Sequence, residues 1–436
     1  MTHVLTALGN RWDSRVATLL EGSREVSIVR RCADLPDLVA TAAAGLGTVA
    51  LVSGDLRGLD LTAVAQLRSA GVHVVGLAAE GDEEAERRLR RLGITRVVAG
   101  DAQLAELEAA LTEEVDLDEL ERELEWSVQD GAPALDGRDA THERGEPDGI
   151  PGADVEPDSG RVIAVWGPTG APGRTTIAVT LATELAGIGI PTVLVDADTY
   201  GGSVAQALSF LDEAPGLAAA TRAADQGSLD VPALARLAPL ATAGLRVLTG
   251  IPKADRWPEI RPAALERVLT VCRSLGQVVV VDCGFSLEDD EELSYDTVAP
   301  RRNAATLTTL SVADELVVVG GCDPVGLQRL VRALQELGTV PSPRPTVCVN
   351  RVRAGAVGSH PEQRVAEALA RFAGVGDPLF VPDDPAALDA ALLQGRALAE
   401  CAPQSPVRVA VRAVAERVAG APVAGRRGRR GLRISR

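Results

Sequence analysis

The segment that most restricts what this chain can fold into is RVIAVWGPTGAPGRTTIAVTLATELAG, from Arg161 to Gly187. The apolar run Val162–Trp166 reads as a buried strand, a loop of Gly, Pro and Thr follows, and an Ala/Leu/Thr-rich helix completes the unit. Small loop residues let backbone amides approach an anion, and a helix N-terminus adds positive potential, so the arrangement suits a phosphate chain. The general phosphate-loop pattern is GxxxxGK[ST]. Here Gly173-Arg174-Thr175-Thr176 closes it with Arg in place of Lys, and Pro168 stands at the leading glycine. A dinucleotide site would need GxGxxG after the strand, which GPTGAPG followed by RTT does not supply.

Strand and helix patterns alternate before this segment as well. Residues 1–112 contain five such pairs, from HVLTALG with VATLLEG to RVVAGD with AQLAELEAALTEEV. Apolar residues make up 46% of the chain but aromatics only 2%, so the core is built from Ala, Val and Leu, which suits helices on parallel strands. The expected fold class is α/β, with two doubly wound parallel-sheet domains joined by an acidic linker. The expected boundaries are 1–112 for the first domain, 113–160 for the linker, 161–423 for the second domain and 424–436 for a basic tail.

The net charge of −17 is unevenly spread. Between Glu113 and Asp158 lie 17 acidic residues and three arginines, so the excess sits in the linker. Its Gly/Pro/Asp-rich part cannot bury enough apolar surface to order itself, although Val115, Leu117, Leu120, Leu124 and Val128 have near-helical spacing at its start. The last eleven residues hold six arginines, which read either as a contact for anionic lipid or DNA phosphates or as a solvated end. Six scattered cysteines without a CxxC pair indicate neither a zinc site nor a disulfide framework, and no leader or membrane-spanning run is evident. A cytoplasmic protein, peripheral at most to the inner face of a membrane, is expected.

The surroundings of the loop sharpen the reading. TGAPGRTT resembles the deviant Walker A loop KGGxGKTT of the MinD/ParA family of ATPases. VLVDADTYGG, with Asp196 and Asp198, resembles that family's first switch, and QVVVVDCG, ending near Asp282, resembles its Walker B strand. VCVNRV places Asn350 where the family contacts adenine, and FVPDDPAAL, with Pro382 and Asp383, resembles the loop over the base. These marks run in order over about 230 residues. The order and spacing of residues 1–112 resemble a receiver domain, and a receiver-like domain ahead of the ATPase is the layout of the CpaE/TadZ group of positioning factors for pilus assembly. Without a lysine or an acidic pair at the matching places, with Leu8-Gly9-Asn10 and Gly100-Asp101 there instead, Asp55 is expected to be a loop aspartate of a pseudo-receiver. The arginine-rich, lysine-poor composition fits an actinobacterial member.

The resemblance implies ATP and Mg²⁺ as ligands. It implies a homodimer acting with the partner proteins of a localised pilus-assembly, septum or partitioning machine. On this reading Gly170, Ala171, Pro172, Gly173, Arg174, Thr175 and Thr176 cradle the phosphates. Thr175, Asp196 and Asp282 serve the metal, Asp198 orients the attacking water with Arg174 as the loop cation, and Asn350, Pro382 and Asp383 meet the base. Two departures bear on hydrolysis: Arg174 replaces the Walker lysine, and Thr169 stands at the family's signature lysine. An arginine keeps the charge but not the shape of lysine. Two readings therefore stay open, a slow nucleotide-switched ATPase and a non-hydrolysing nucleotide-binding scaffold of the same fold.

Overall fold

The computed structural model describes residues 1–112, 160–170, 172–210, 216–289 and 300–418. Most of the acidic linker with its helical start, the basic tail, the end of the second expected domain from residue 419 and Ala171 lie outside the described residues.

The first sheet contains β1 (Thr2–Ala7), β2 (Val26–Arg31), β3 (Val49–Ser53), β4 (His73–Ala78) and β5 (Val97–Ala99), all parallel in the order β2-β1-β3-β4-β5. That order is the flavodoxin-like doubly wound one. Helices α1 (Asn10–Leu20), α2 (Leu35–Ala43), α3 (Leu61–Ser69), α4 (Glu83–Arg91) and α5 (Leu104–Thr112) alternate with the strands. Period-2 alternation in β1 divides its side chains between two cores. Val4 packs with Val16 and Leu20 of α1 and Leu107 and Leu111 of α5, whereas Leu5 and Ala7 pack with Leu38 of α2 and Leu67 of α3.

The second unit begins with β6 (Arg161–Trp166), α6 (Arg174–Gly187) and β7 (Thr192–Ala197). It continues through the helices α7 (Val204–Ala207), α8 (Gly216–Asp225) and α9 (Val231–Leu237) to the antiparallel pair β8 (Leu240–Thr242) and β9 (Leu245–Leu248). Then come α10 (Pro262–Leu275), β10 (Val278–Cys283), α11 (Ala304–Val312), β11 (Glu315–Gly321), α12 (Pro324–Leu337) and β12 (Pro345–Val352). The last elements are α13 (Ala354–Val357), α14 (Pro361–Ala373), β13 (Leu379–Pro382), α15 (Pro385–Gln394), α16 (Leu398–Cys401) and α17 (Pro406–Val418). The eight strands run β13-β12-β11-β6-β10-β7-β9-β8, parallel except at β8. Ile163 and Val165 of β6 face α6 and α17, while Val162, Ala164 and Trp166 face the core shared with α8, α10 and α12. Burial on both faces explains why these strands are unbroken apolar runs such as VVVVDC. Five of the six cysteines are buried in these cores, and Cys401 is half-buried.

The two units touch through α3 and α4 on one side and α8 to α10 on the other. Asp225, at the end of α8, accepts from the Thr62 hydroxyl (2.7 Å) and amide (3.2 Å) and pairs with Arg261 at 2.8 Å. Arg261 also reaches Asp60 at 3.2 Å, and Arg88 donates to the Gln226 carbonyl at 3.2 Å. No helix among the described residues is long and apolar enough to cross a membrane.

Candidate nucleotide site

In the parallel part of the second sheet the carboxyl ends of β6, β10, β7, β11 and β12 share one edge, where doubly wound sheets bind ligands. The loop after β6 crosses that edge. Gly173 takes a φ of 97°, which favours glycine, and serves as the N-cap of α6 without any side-chain hydrogen bond. Six other helices (α2, α3, α4, α9, α12 and α15) are capped by an aspartate. At α6 no side chain occupies the first amides, and the donors of Arg174 to Thr176 remain open to an anion.

Asn350, at the end of β12, braces this turn. Its amide donates to the Pro172 carbonyl at 2.8 Å and lies against Gly173, where a Cβ would collide with it. It is 3% exposed. The neighbouring cavity, of about 790 Å³, is lined by Thr175 and Thr176 of α6, Gln206 of α7, Arg351, Asp383 and Leu388 of α15, among others. It joins the loop to the segment after β13. Asp383 enters it and pairs with Arg353 at 3.3 Å, while Pro382 ends β13 outside the lining.

Arg174 folds back over the start of its own loop. One guanidinium nitrogen donates to the carbonyls of Gly167 (3.1 Å) and Pro168 (3.0 Å), and the other reaches Asp198 Oδ2 at 3.3 Å. Asp198 Oδ1 accepts from the amides of Tyr200 and Gly201, so the whole carboxylate is engaged. Asp196 is also occupied: its oxygens accept from the amides of Asp198 (3.2 Å) and Val204 (3.1 Å), which shapes the loop after β7. Burial, reinforced by the charge of Asp198, pushes its carboxyl up to about 7.

Asp282 differs from both. It is fully buried, pairs in register with Asp196 on the adjacent strand, and neither of its oxygens has a hydrogen-bond partner. Burial, and then the neighbouring Asp196, raises its carboxyl well above the usual range, although the Thr175 hydroxyl at the start of α6 and the guanidinium of Arg174 oppose the shift. Thr175 exerts that influence without a hydrogen bond of normal geometry. An orphaned pair of buried acceptors beside a hydroxyl is what a hard divalent cation satisfies. Among the described residues no cluster of three or more acidic, His or Cys side chains forms a complete cage. One or two carboxylates are what Mg²⁺ takes from a protein, with other positions left to phosphates and water.

Residues without any sequence signal complete the surroundings. Arg302, at the start of α11, stacks 3.8 Å from the Tyr200 ring and donates to the Thr199 hydroxyl and carbonyl. Tyr200 also packs on Phe285, at 4.7 Å between ring centroids, and donates to Asn303 at 2.6 Å. The segment carrying Asp198 is thereby tied to the one following Asp282. In the first unit, Asp55 pairs with Arg11 at 3.4 Å.

No protein-family model matches the sequence, and no curated protein sequence does. Solved structures do. A cell division ATPase MinD from Pyrococcus furiosus is 18% identical over 60% of this chain and 99% of its own, with a TM-score of 0.47. Cyanothece McdA in complex with ATP is 15% identical over 61% of this chain and 98% of its own, also at 0.47. A ParA family ATPase from Chlorobium tepidum covers 58% of this chain and 98% of its own at 20% identity, and its TM-score of 0.50 shows that this α/β chain contains the fold of a ParA-type P-loop ATPase.

Proposed function

We propose that the second unit binds Mg-ATP and serves as a MinD/ParA-like positioning factor, a homodimer that localises an assembly machine and hydrolyses its nucleotide slowly. The observation that carries the reading is the convergence, on one sheet edge, of an uncapped helix N-terminus, a buried carboxylate without partners and an adjoining cavity. The amides of Gly170 and of Gly173 to Thr176 face the phosphates, Thr175 and Asp282 would hold the metal with Asp196 behind them, and Asp383 borders the base. Mg²⁺, when bound, neutralises phosphate charge and fixes the orientation of the terminal group. Asn350 keeps the loop in shape by holding the Pro172 carbonyl. Asp198 orients the attacking water once Arg174 releases it.

That last condition supports a second reading. With Asp198 held by Arg174 and two backbone amides, the carboxylate that would orient water is fully occupied, as befits a scaffold that keeps its nucleotide. Steady-state phosphate release from Mg-ATP, with Asp198→Ala as control, separates the two. Release above the control supports the switch, and ATP binding without release supports the scaffold. A chain that binds no nucleotide would sink both.

The first unit has the strand order of a receiver, and Arg11 beside Asp55 is consistent with a pseudo-receiver used as a docking surface.

A further inference from the structure

Arg329 lies in the second turn of α12. Its guanidinium rests against Gly170, in space that a Cβ at that position would need. Gly170 has a φ of 103°, so the missing side chain both permits the backbone turn and admits the guanidinium. Among the described residues, Arg329 makes no hydrogen bond or ion pair. The acid nearest in sequence on its own helix, the N-cap Asp323, is committed to the amides of Val325 and Gly326.

Arg174 is in the opposite condition. Its donors are directed to two loop carbonyls and to Asp198, whose negative charge offsets its own. The loop that is open to an anion therefore has one cation already neutralised and another, Arg329, that is not. We infer that Arg329 is a phosphate-binding residue of this site, reaching over Gly170 from α12 to contact the terminal phosphates of a nucleoside triphosphate. The inference rests on the reading of the loop as a phosphate cradle. It gives the role of second loop cation, left open by Thr169, to a residue about 160 positions away in the sequence.

The test is calorimetric titration of the full chain and its variants with Mg-ATP at low and at raised salt. Arg329 is exposed, so Arg329→Ala should fold, which melting temperature verifies. Affinity for Mg-ATP should fall about tenfold in low salt, and the gap from the parent should narrow as salt screens the contact. Arg329→Lys, which keeps the charge, should recover most of the loss. A parent that binds Mg-ATP and an Ala variant that binds it equally well would overturn the inference alone. So would a loss that is the same at both salt concentrations, because it would come through structure and not through charge. A parent that binds no nucleotide would overturn the phosphate site and this inference with it.

Discussion

Arg174 explains why a loop can look nearly complete and yet differ in chemistry from one that carries lysine. A planar fork with five donors can serve two carbonyls and a carboxylate together, which a compact ammonium cannot do with the same geometry. Its Nε is nevertheless buried without a partner, and it and Asp198 are 11% and 7% exposed, so the pair contributes little net stability while removing either member leaves a buried charge. Arg174→Ala should lower nucleotide affinity about tenfold to a hundredfold, because it uncovers the charge of Asp198 beside the loop and releases the carbonyls of Gly167 and Pro168. Arg174→Lys should loosen the hold on Asp198 and raise steady-state phosphate release above that of the parent. Unchanged ATP binding in the Ala variant would remove this side chain from the site.

The neighbouring ends of β7 and β10 place two acids in register, and burial holds both above the ordinary carboxylate value of 3.8. A raised value in the fold means that the folded chain keeps protons the unfolded chain has lost. Stability from Asp196 is therefore complete below the ordinary value and is lost as pH rises towards about 7, and that from Asp282 is lost in the same direction. Without metal, the melting temperature should fall as pH rises from about 4 to about 7, and Mg²⁺ with nucleotide should restore it. Asp282→Asn should flatten that profile, raise the melting point at the alkaline end by roughly 2–4 °C, and abolish the gain from Mg²⁺. A variant with the parent's pH profile would show that the pair is not the source.

The two sheets meet through a small polar cluster centred on Asp225, with Thr62, Asp60 and Arg261 around it. Asp60 is also held above its usual value by burial, so the contact is partly desolvated. Asp225→Ala would leave Arg261 with Asp60 alone and the Thr62 hydroxyl without this acceptor, weakening the contact by on the order of 1 kcal/mol. Hydrogen exchange in α3 and α8 should rise in that variant while the β6 and β10 amides stay protected. Equal protection in parent and variant would mean that other contacts hold the units together.

The α/β class followed from local pattern alone. Fully buried parallel strands must be apolar throughout, as in VVVVDC, and a turn that brings backbone amides to an anion must be made of small residues, as in GPTGAPG. Asp196, Asp198 and Asp282 were likewise legible, because each stands at or just beyond the end of such a strand, where an acid breaks the apolar run. What each acid does was not legible. Hydrogen bonds from Arg174 and from backbone amides occupy Asp198, two amides occupy Asp196, and only Asp282 is left without partners. The hydrogen bond from Asn350 to the Pro172 carbonyl was not legible for a similar reason, since the end of β12 comes to Pro172 only once the sheet is assembled. Arg302 and Arg329 had no local signal at all. Each looks like a solvated arginine near or on a helix until the crossovers after β10 and β11 bring α11 and α12 back beside the loops after β7 and β6. Periodicity records which face of an element is buried, but the partner of a polar side chain depends on contacts made across the whole chain.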